Sequence, residues 1–327
     1  MKNIRAIIPV AGIGTRLRPH TYTLPKVLLN VAGKPILGHI LDRIQIEGIS
    51  KVTFIIGYLG EKVIEYVEHN YDFDAEYIEQ EEQHGLGHAI YLARETFMND
   101  ELLIVLGDTV FDVDLKSMLS SKYSALGVKE VEDPRRFGVA IVENEFITKL
   151  VEKPETPISN LAIVGLYYIK NSKLLTECLD EIIQKNIRTK DEYQLTDALQ
   201  LMLDKGEKFI PFLVEGWFDC GKPETLLSTN HHLLEKFNNT ENIDGVTIIK
   251  PVYISPKSKV ENSIIGPYTT INDGAIIKNS IVVNCIIGVN AIVENEILRD
   301  SIIGNNTIIK GQFRKLNTGD STEIIFD

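Results

Sequence analysis

The chain has 327 residues, of which 44% are hydrophobic, and its formal net charge is −12 at pH 7. This length suffices for one large and one smaller domain, and the apolar content excludes a disordered chain. The negative charge argues against nucleic acid as a partner, so a phosphate-bearing ligand has to be bound by local cations and a metal ion.

The cysteines and the apolar runs exclude further classes. Cys178, Cys220 and Cys285 are far apart and match no zinc-binding spacing, so we expect small buried residues. We find no signal peptide and no apolar run of the ~18 residues that a membrane span requires. We therefore expect a cytoplasmic protein with no membrane partner.

From the first residues to about residue 236, short apolar segments alternate with amphipathic ones. The segments that favour strands are 5–10, 52–56, 75–78, 102–106, 137–142, 146–152 and 162–169. The segments that favour helices are 35–47, 60–70, 87–97, 172–185, 195–205 and 224–237. This alternation predicts an α/β domain with a helix-flanked parallel sheet, whose ligands bind at the carboxyl ends of the strands.

The pattern changes at the polar stretch 238–242, which is typical of a linker. We therefore divide the chain into a domain at 1–237 and a second domain at 238–327. Beyond the linker, pairs of aliphatic residues recur every five or six residues, accompanied by Gly266, Gly274, Gly288 and Gly304. Such short, regularly spaced strands indicate a parallel β-helix, and the five-residue steps suggest irregular corners. An ordinary β-meander is the alternative.

Residues 10–19, which read VAGIGTRLRP, follow the first predicted strand, with Pro25-Lys26 close behind. Gly12 and Gly14 permit a sharp turn and a close approach to a ligand, while Arg16 and Lys26 add two positive charges. The combination predicts a polyphosphate cradle. It is neither a dinucleotide fingerprint, since Leu17 replaces the third glycine, nor a Walker loop, since both Gly-Lys pairs of the chain precede proline.

The loop resembles that of the sugar nucleotidyltransferases, whose signature is Gly-x-Gly-Thr-Arg-Leu-x-Pro followed by Pro-Lys. Later segments resemble the same family in the same order: Leu106-Gly107-Asp108, Glu152-Lys153-Pro154, and 217–221, which read WFDCG. The resemblance is greatest to glucose-1-phosphate thymidylyl- and uridylyltransferases that carry hexapeptide repeats. It implies a Rossmann-like nucleotidyltransferase domain with a mixed sheet, followed by a left-handed parallel β-helix.

The resemblance also implies roles for individual residues. Asp108 and Asp219 would hold Mg²⁺, an ion that prefers carboxylate and phosphate oxygens. For the acid at the strand end, a turn or cap role is the alternative. The catalytic cations would be Arg16, Lys26 and Lys153, with Lys153 on the sugar phosphate. The implied nucleotide-binding residues are Ala11, Gly12, Gly14, Thr15, Gln80 and Gly85. The implied sugar-binding residues are Gly138, Glu152 and Val164.

The implied reaction is attack of a sugar 1-phosphate on the α-phosphorus of a nucleoside triphosphate, with dTTP or UTP and glucose 1-phosphate favoured. Because the nucleophile is already anionic, no general base is needed, and we assign neither His84 nor His88 as one. Thr196 and Asp197 belong either to the site or to the cap and start of a helix.

Two other functions remain open, a non-catalytic sensor of nucleotide-sugars and a bifunctional nucleotidyltransferase/acyltransferase. All seven histidines precede the repeats, so the β-helix lacks the usual acyltransferase base. We expect the β-helix to serve assembly or regulation, and we expect the protein to form a homo-oligomer.

Overall fold

The computed structural model describes residues 3–236, 242–312 and 321–322, which form two compact units. The first unit comprises residues 3–29 and 34–229. The second comprises Asn30–Gly33 and the described residues from Asn230 onwards. Of the predicted linker, residues 238–241 lie outside the described residues, as does residue 237 at the predicted domain boundary.

The helices occupy most of the predicted positions, although the segment expected at 87–97 is a helix only to Leu92, followed by a 3-10 turn at Arg94–Thr96. None of the helices among the described residues is long and apolar enough to cross a bilayer. Their bounds are α1 Ile36–Ile46, α2 Gly60–Asn70, α3 Leu86–Leu92, α4 Leu115–Leu119, α5 Ser172–Gln184, α6 Leu195–Asp204 and α7 Pro223–Glu235.

The strands up to residue 219 include several that the sequence pattern did not indicate, β7, β8, β12 and β13 among them. Their bounds are β1 Ile4–Pro9, β2 Asn30–Val31, β3 Lys34–Pro35, β4 Lys51–Ile56, β5 Asp74–Glu79, β6 Glu101–Val105, β7 Thr109–Asp112, β8 Ser124–Glu130, β9 Gly138–Glu143, β10 Phe146–Glu152, β11 Leu161–Ile169, β12 Phe209–Leu213 and β13 Gly216–Asp219.

Nine strands of the first unit form one mixed sheet in the order β5-β4-β1-β6-β11-β8-β12-β10-β9. The first four are parallel, as predicted, and β11 pairs with β6 and β8 in antiparallel fashion. Strand β1 is buried at Ala6, Ile7 and Ile8 because helices cover both faces of a parallel sheet. The mixed sheet confirms the fold implied by the resemblance.

The parallel half of the sheet determines where a ligand can bind. Because β1, β4, β5 and β6 run in one direction, the loops that follow Pro9, Ile56, Glu79 and Val105 lie at the same edge. This edge carries the glycine loop after β1 and the Leu106-Gly107-Asp108 segment after β6. It is the expected ligand-binding edge of an open α/β sheet.

The second unit is a left-handed parallel β-helix of three parallel four-stranded sheets, as predicted. Thr247 lies opposite Ile264, and Ile286 lies opposite Ile302, so a coil holds 17 or 16 residues. The strand bounds are β14 Thr247–Ile248, β15 Val252–Ile254, β16 Lys259–Glu261, β17 Ile264–Ile265, β18 Thr269–Ile271, β19 Ile276–Lys278, β20 Ile281–Val283, β21 Ile286–Ile287, β22 Ile292–Glu294, β23 Ile297–Arg299, β24 Ile302–Ile303 and β25 Ile308–Lys310.

Asparagines form the corners of the β-helix. Asn279 and Asn295 have φ angles of 48° and 60°, in the left-handed region that asparagine tolerates better than most residues. The side chain of Asn279 donates to Asn295 Oδ1 of the next coil at 3.1 Å, and that of Asn290 donates to Asn306 at 3.3 Å. The corners therefore stack by hydrogen bonds, while aliphatic side chains fill the interior.

Candidate active site

The glycine loop folds back on the segment that contains Lys26. Gly14 has a φ of 69° and precedes a 3-10 turn at Thr15–Leu17, and a Cβ placed on it would lie 2.9 Å from Lys26 Cβ. The Thr21 hydroxyl donates to Gly14 O at 2.9 Å. Both the backbone angle and the lack of space require glycine here, because the turn brings the start of the loop against Lys26.

Pairing of β7 with β13 brings the two predicted metal ligands together. Thr109 lies opposite Asp219 in this antiparallel pair, so Asp108, one residue earlier, is beside Asp219. The backbone N–H of Cys220 donates to Asp108 O at 3.0 Å. Lys26 Nζ forms an ion pair with Asp108 Oδ2, and Thr109 Oγ1 donates to Asp108 Oδ1 at 3.2 Å.

In this pair of acids, the environment of Asp219 disfavours its charged form. Burial raises the pKa of its carboxyl above the ordinary value, and the negative charge of Asp108 raises it further, while Lys26 and Arg16 lower it. A Cβ placed on Gly221 would lie 2.9 Å from both Arg16 Nη2 and Asp219 Oδ1, so the guanidinium group is beside this carboxylate. Two neighbouring carboxylates, one of them buried, favour a cation between them.

Two cavities open next to these acids, and both lie in the first unit. The first, of about 420 Å³, is here called the Gln80 cavity. The predicted site residues that line it are Ala11, Gly12, Lys26, Gln80, Gly85 and Asp108. The second, of about 380 Å³, is called the Trp217 cavity. The predicted site residues that line it are Arg16, Asp108, Gly138, Glu152, Val164 and Asp219.

In the Gln80 cavity the side-chain amide is held by its surroundings. Gln80 is 6% exposed, and its Nε2 lies 3.4 Å from Gly85 O and 3.4 Å from His88 Nδ1. Gly85 has a φ of 102°, and a Cβ there would lie 2.6 Å from Tyr193 O. The amide group is thus fixed at the wall of the cavity, where it can both donate and accept a hydrogen bond.

In the Trp217 cavity a buried carboxylate faces an aromatic wall. Glu152 Oε2 accepts a hydrogen bond from the Thr196 hydroxyl at 2.7 Å, and a Cβ on Gly138 would lie 2.8 Å from the same oxygen. Phe137 and Trp217 contact each other edge to face, with ring centroids 4.9 Å apart. Aromatic rings beside a fixed carboxylate form a surface suited to a polyhydroxylated ring.

Thr196 does not cap a helix. The N-cap residue of α6 is Gln194. The Thr196 hydroxyl donates to Glu152 Oε2, and Thr196 lines the Trp217 cavity. Asp197 is partly buried, and burial raises its pKa, but it lines neither cavity.

Neither of the two histidines in this region lines a cavity. His84 contacts Glu82 at 2.6 Å, and burial lowers the pKa of His88.

Comparison with known proteins places residues 5–236 in the family model described as "Nucleotidyl transferase". The chain belongs to this family. It is 38% identical over 235 residues to the bifunctional protein GlmU of Methanocaldococcus jannaschii, a match that covers 71% of this chain and 55% of that protein. It is 28% identical over 315 residues to the glucose-1-phosphate thymidylyltransferase of Streptomyces griseus, covering 87% of each.

A solved nucleotidyl transferase structure supports the fold. UDP-glucose pyrophosphorylase from Acinetobacter baumanii matches with a TM-score of 0.61 and 21% identity, over 73% of this chain and 95% of that one. The chain thus spans only about half the length of the GlmU protein cited above but nearly all of the pyrophosphorylase.

Three of the predicted site residues line neither cavity: Gly14, Thr15 and Lys153. The structure adds residues that sequence reasoning missed. Glu192 and Gln83 line the Gln80 cavity, and the Gln83 side chain donates to Ala11 O at 2.9 Å. Arg136 and Lys222 line the Trp217 cavity. Arg136 and Lys222 are close in sequence to the predicted Gly138 and Asp219, and this proximity was the signal by which they could have been found.

Proposed function

We propose that this protein joins a nucleoside triphosphate to a sugar 1-phosphate, forming a nucleotide-sugar and releasing pyrophosphate. The observation that carries the proposal is that Asp108 lines both cavities, with Lys26 bound to its carboxylate and Arg16 beside the adjoining Asp219. Two binding spaces that meet at paired acids and cations suit a reaction between two phosphorylated substrates.

The nucleoside triphosphate occupies the Gln80 cavity in this proposal, and the sugar 1-phosphate occupies the Trp217 cavity. The Gln80 cavity contains the glycine loop and an amide suited to the edge of a pyrimidine. The Trp217 cavity contains a carboxylate and an indole ring suited to sugar hydroxyls and a sugar face. The α-phosphorus and its nucleophile then meet near Asp108, which both spaces share.

We favour dTTP or UTP with glucose 1-phosphate as the substrates. The names of two relatives support these substrates. One relative is a glucose-1-phosphate thymidylyltransferase, and another is a UTP–glucose-1-phosphate uridylyltransferase. Thymine and uracil differ by one methyl group, which is worth only about 1–3 kcal/mol in a binding pocket. A buried amide such as Gln80 accommodates either base.

The residues at this site fit Mg²⁺. Asp108 and Asp219 are adjacent carboxylates, and the described residues contain no group of three or more His, Cys, Asp or Glu that could enclose a metal. A hard cation held by two carboxylates completes its coordination with phosphate oxygens and water, as Mg²⁺ typically does. When bound, the ion would offset the negative charge of the reacting phosphates.

The side chains of the chain itself bind and orient the reactants. The sugar phosphate is anionic at neutral pH and needs no base to deprotonate it, which agrees with the absence of a histidine from both cavity linings. Arg16 offers a planar fork that can bind two oxygens of the crowded α-phosphorus. Glu152, held by Thr196, orients the sugar so that its phosphate oxygen lies in line.

The proposal is tested by measuring pyrophosphate release with Mg²⁺ over a grid of five nucleoside triphosphates and several sugar 1-phosphates. We expect release with dTTP or UTP and glucose 1-phosphate. Release with another pair only would keep the reaction and change the specificity. A folded protein that binds nucleotide-sugar but releases no pyrophosphate with any pair would instead be a sensor.

A further inference from the structure

A third cavity, of about 350 Å³, lies in the first unit and is not used by the proposed function. Its lining includes three lysines, Lys122, Lys170 and Lys208, together with Tyr123. It is here called the Tyr123 cavity. Three positive side chains around one space are notable in a chain whose formal net charge is −12.

The Tyr123 cavity lies at the edge of the sheet opposite the active site. Strands β8 and β12 begin beside it, at Ser124 and Phe209, and β11 ends beside it at Ile169. Because β11 runs antiparallel to β6, with Ile169 opposite Leu102, β6 begins at this edge. Asp108 follows the other end of β6, and a strand of five residues is about 17 Å long. The Tyr123 cavity is therefore separate from the two cavities of the active site.

Strand pairing brings the lysines to this cavity from distant parts of the sequence. Strand β12 runs parallel to β8 with its first residue opposite Ser124, so Lys208 and Tyr123 precede paired residues. On the other side of β8, the backbone N–H of Lys170 donates to Ser124 Oγ at 3.1 Å. Ser124 is fully buried, and its hydroxyl donates to Glu207 Oε1 at 2.8 Å. This one hydroxyl therefore joins the segments that carry Lys170 and Lys208.

Aromatic rings hold two of the three ammonium groups. The Nζ atoms of Lys122 and Lys208 lie 5.5 Å and 5.9 Å from the ring centroid of Tyr123. Lys208 Nζ is also 5.3 Å from the ring centroid of Phe146. A ring attracts an ammonium group through its quadrupole, but it does not neutralise the charge as a carboxylate does. The contacts with the rings therefore position two charges that an anion can bind.

The carboxylates near the cavity offset only part of its positive charge. Lys170 Nζ donates to Ser121 O at 3.3 Å and lies 3.7 Å from Glu101 Oε1, so its charge is partly compensated. Among the described residues, Glu207 is the one carboxylate in the lining, and it accepts the hydrogen bond from Ser124. The lining thus combines three cations with one acid, and its balance of charge favours an anion.

The size and the charge of the Tyr123 cavity indicate the class of ligand. A small basic cavity in an acidic protein does not provide the extended basic face that a nucleic acid requires. Ammonium groups on flexible stems bind phosphate as point charges. A volume of about 350 Å³ is within the usual range for small-molecule sites and exceeds what a phosphate group fills. The ligand therefore has a carbon portion, for which the Tyr123 ring provides an apolar contact.

We propose that the Tyr123 cavity binds a phosphorylated small molecule of the size of a sugar phosphate. Its phosphate is bound by Lys122, Lys170 and Lys208, and its carbon portion contacts the Tyr123 ring. The site is separate from the active site, and this inference does not rest on the proposed function.

The test is a titration of the full ¹⁵N-labelled chain, followed by NMR of its backbone amides. The amides of Asn171 and Gly206, which line the Tyr123 cavity, report binding there separately from binding at the active site. The probes are glucose 6-phosphate, inorganic phosphate, glucose and malonate. We expect glucose 6-phosphate to bind more tightly than phosphate, because it adds the contact with the ring. Glucose, which has no charge, and malonate, which has no phosphate, should bind more weakly than phosphate does.

Paired lysine variants connect the binding to the proposed cations. Combining Lys122→Ala with Lys208→Ala should raise Kd for glucose 6-phosphate about 10-fold or more, as for the loss of charge-assisted hydrogen bonds. Arginine at both positions keeps the charges and should leave Kd within about 3-fold of the wild type. The matched control combines Lys116→Ala with Lys149→Ala, since both of these lysines are exposed and lie outside the cavity.

Several outcomes would overturn the proposal. These are unshifted amides of Asn171 and Gly206 at millimolar glucose 6-phosphate, or a Kd that the paired alanine variant leaves unchanged. Malonate binding as tightly as phosphate would refute the assigned class of ligand. Because Lys122 and Lys208 are exposed, the variants should fold, and thermal melts verify this. The titration requires no turnover, so it can succeed or fail independently of the assay for pyrophosphate release.

Discussion

The Gln80 and Trp217 cavities meet at Asp108 but differ in how they present charge. Among the described residues, the Gln80 cavity has a single lining cation, Lys26, and Asp108 already neutralises it. Among the described residues, the Trp217 cavity is lined by the cations Arg16, Arg136 and Lys222 and by the carboxylates Asp108, Glu152 and Asp219. The Gln80 cavity therefore presents mainly amide, backbone and apolar groups, whereas the Trp217 cavity presents more charged side chains of both signs.

The largest effect is expected where the two cavities join. Asp108→Asn removes the charge that binds Lys26 and half of the carboxylate pair, so kcat/KM should fall about 10³-fold or more for both substrates, as for the loss of several kcal/mol of charge stabilisation. Steady-state kinetics measure this loss. Asp114→Asn is the control, because Asp114 is exposed and caps α4, a role that asparagine also fills. A loss confined to one substrate would refute the shared position of Asp108.

Arg16→Ala should show the next largest effect, and in turnover rather than in affinity. The guanidinium beside Asp219 is placed to favour the crowded transition state, so kcat should fall about 10²- to 10³-fold, as for loss of a preorganised donor. The KM values should change little. Arg18→Ala, an exposed arginine outside both cavities, serves as the control. Higher KM values with an unchanged kcat would assign Arg16 to ground-state binding.

Gln80→Leu should affect the nucleotide side alone. Loss of one or two hydrogen bonds to the base predicts a rise of about 10-fold in KM for the nucleoside triphosphate, with KM for the sugar unchanged. The variant should also discriminate less between nucleobases in the same assay. A change confined to the sugar constant would reverse the assignment of the two cavities.

Thr196→Val and Thr196→Ser form a matched pair on the sugar side. Valine removes the hydroxyl that donates to Glu152 Oε2, so KM for the sugar 1-phosphate should rise about 5- to 10-fold, the cost of one hydrogen bond to a charged group. Serine keeps the donor and should behave like the wild type. If serine is as impaired as valine, the methyl packing of Thr196 is what matters.

Asp219→Asn should produce the smallest change, a gain in stability of the metal-free protein. Burial and Asp108 raise the pKa of Asp219, so the folded state binds this proton more tightly than the unfolded state does. The charged carboxylate therefore lowers stability as pH rises from the ordinary carboxyl pKa through the raised one. Thermal melts in EDTA should show the variant melting above the wild type at neutral pH.

The melting difference between Asp219→Asn and the wild type should shrink as pH falls below the ordinary carboxyl range. Asp72→Asn, at an exposed position, provides the comparison. A variant that melts below the wild type at neutral pH in EDTA would contradict the electrostatic strain assigned to Asp219.

The pattern of apolar residues in the sequence predicted the strands that consist of an unbroken, buried segment of the chain. Strands β1, β4 and β6 each carry an apolar run, and aliphatic pairs at every five or six residues predicted the β-helix, whose coils hold 16 or 17 residues. Strands β7 and β13 escaped prediction, since each has four residues and their pairing joins distant parts of the chain. Yet this pairing is what brings Asp108 to Asp219.

The same limit applies to the site. The glycine loop, Gln80 and Glu152 belong to compact motifs, so their types and spacing pointed to a ligand. Whether a basic residue faces a cavity depends instead on the turn that carries it. Asp133 binds the Arg135 guanidinium while the next residue, Arg136, lines the Trp217 cavity, and Lys153 Nζ lies 3.5 Å from Glu152 Oε1. Neither outcome is encoded in residue type alone.

The central claim is that a sugar phosphate attacks the α-phosphorus of a nucleoside triphosphate, and labelled substrate tests it most directly. With glucose 1-phosphate and Mg²⁺, dTTP or UTP labelled at the α-phosphate should transfer its label to the nucleotide-sugar, and label at the γ-phosphate should appear only in pyrophosphate. Label from the γ-phosphate in a sugar bisphosphate or in inorganic phosphate would show cleavage at a different bond and contradict the account.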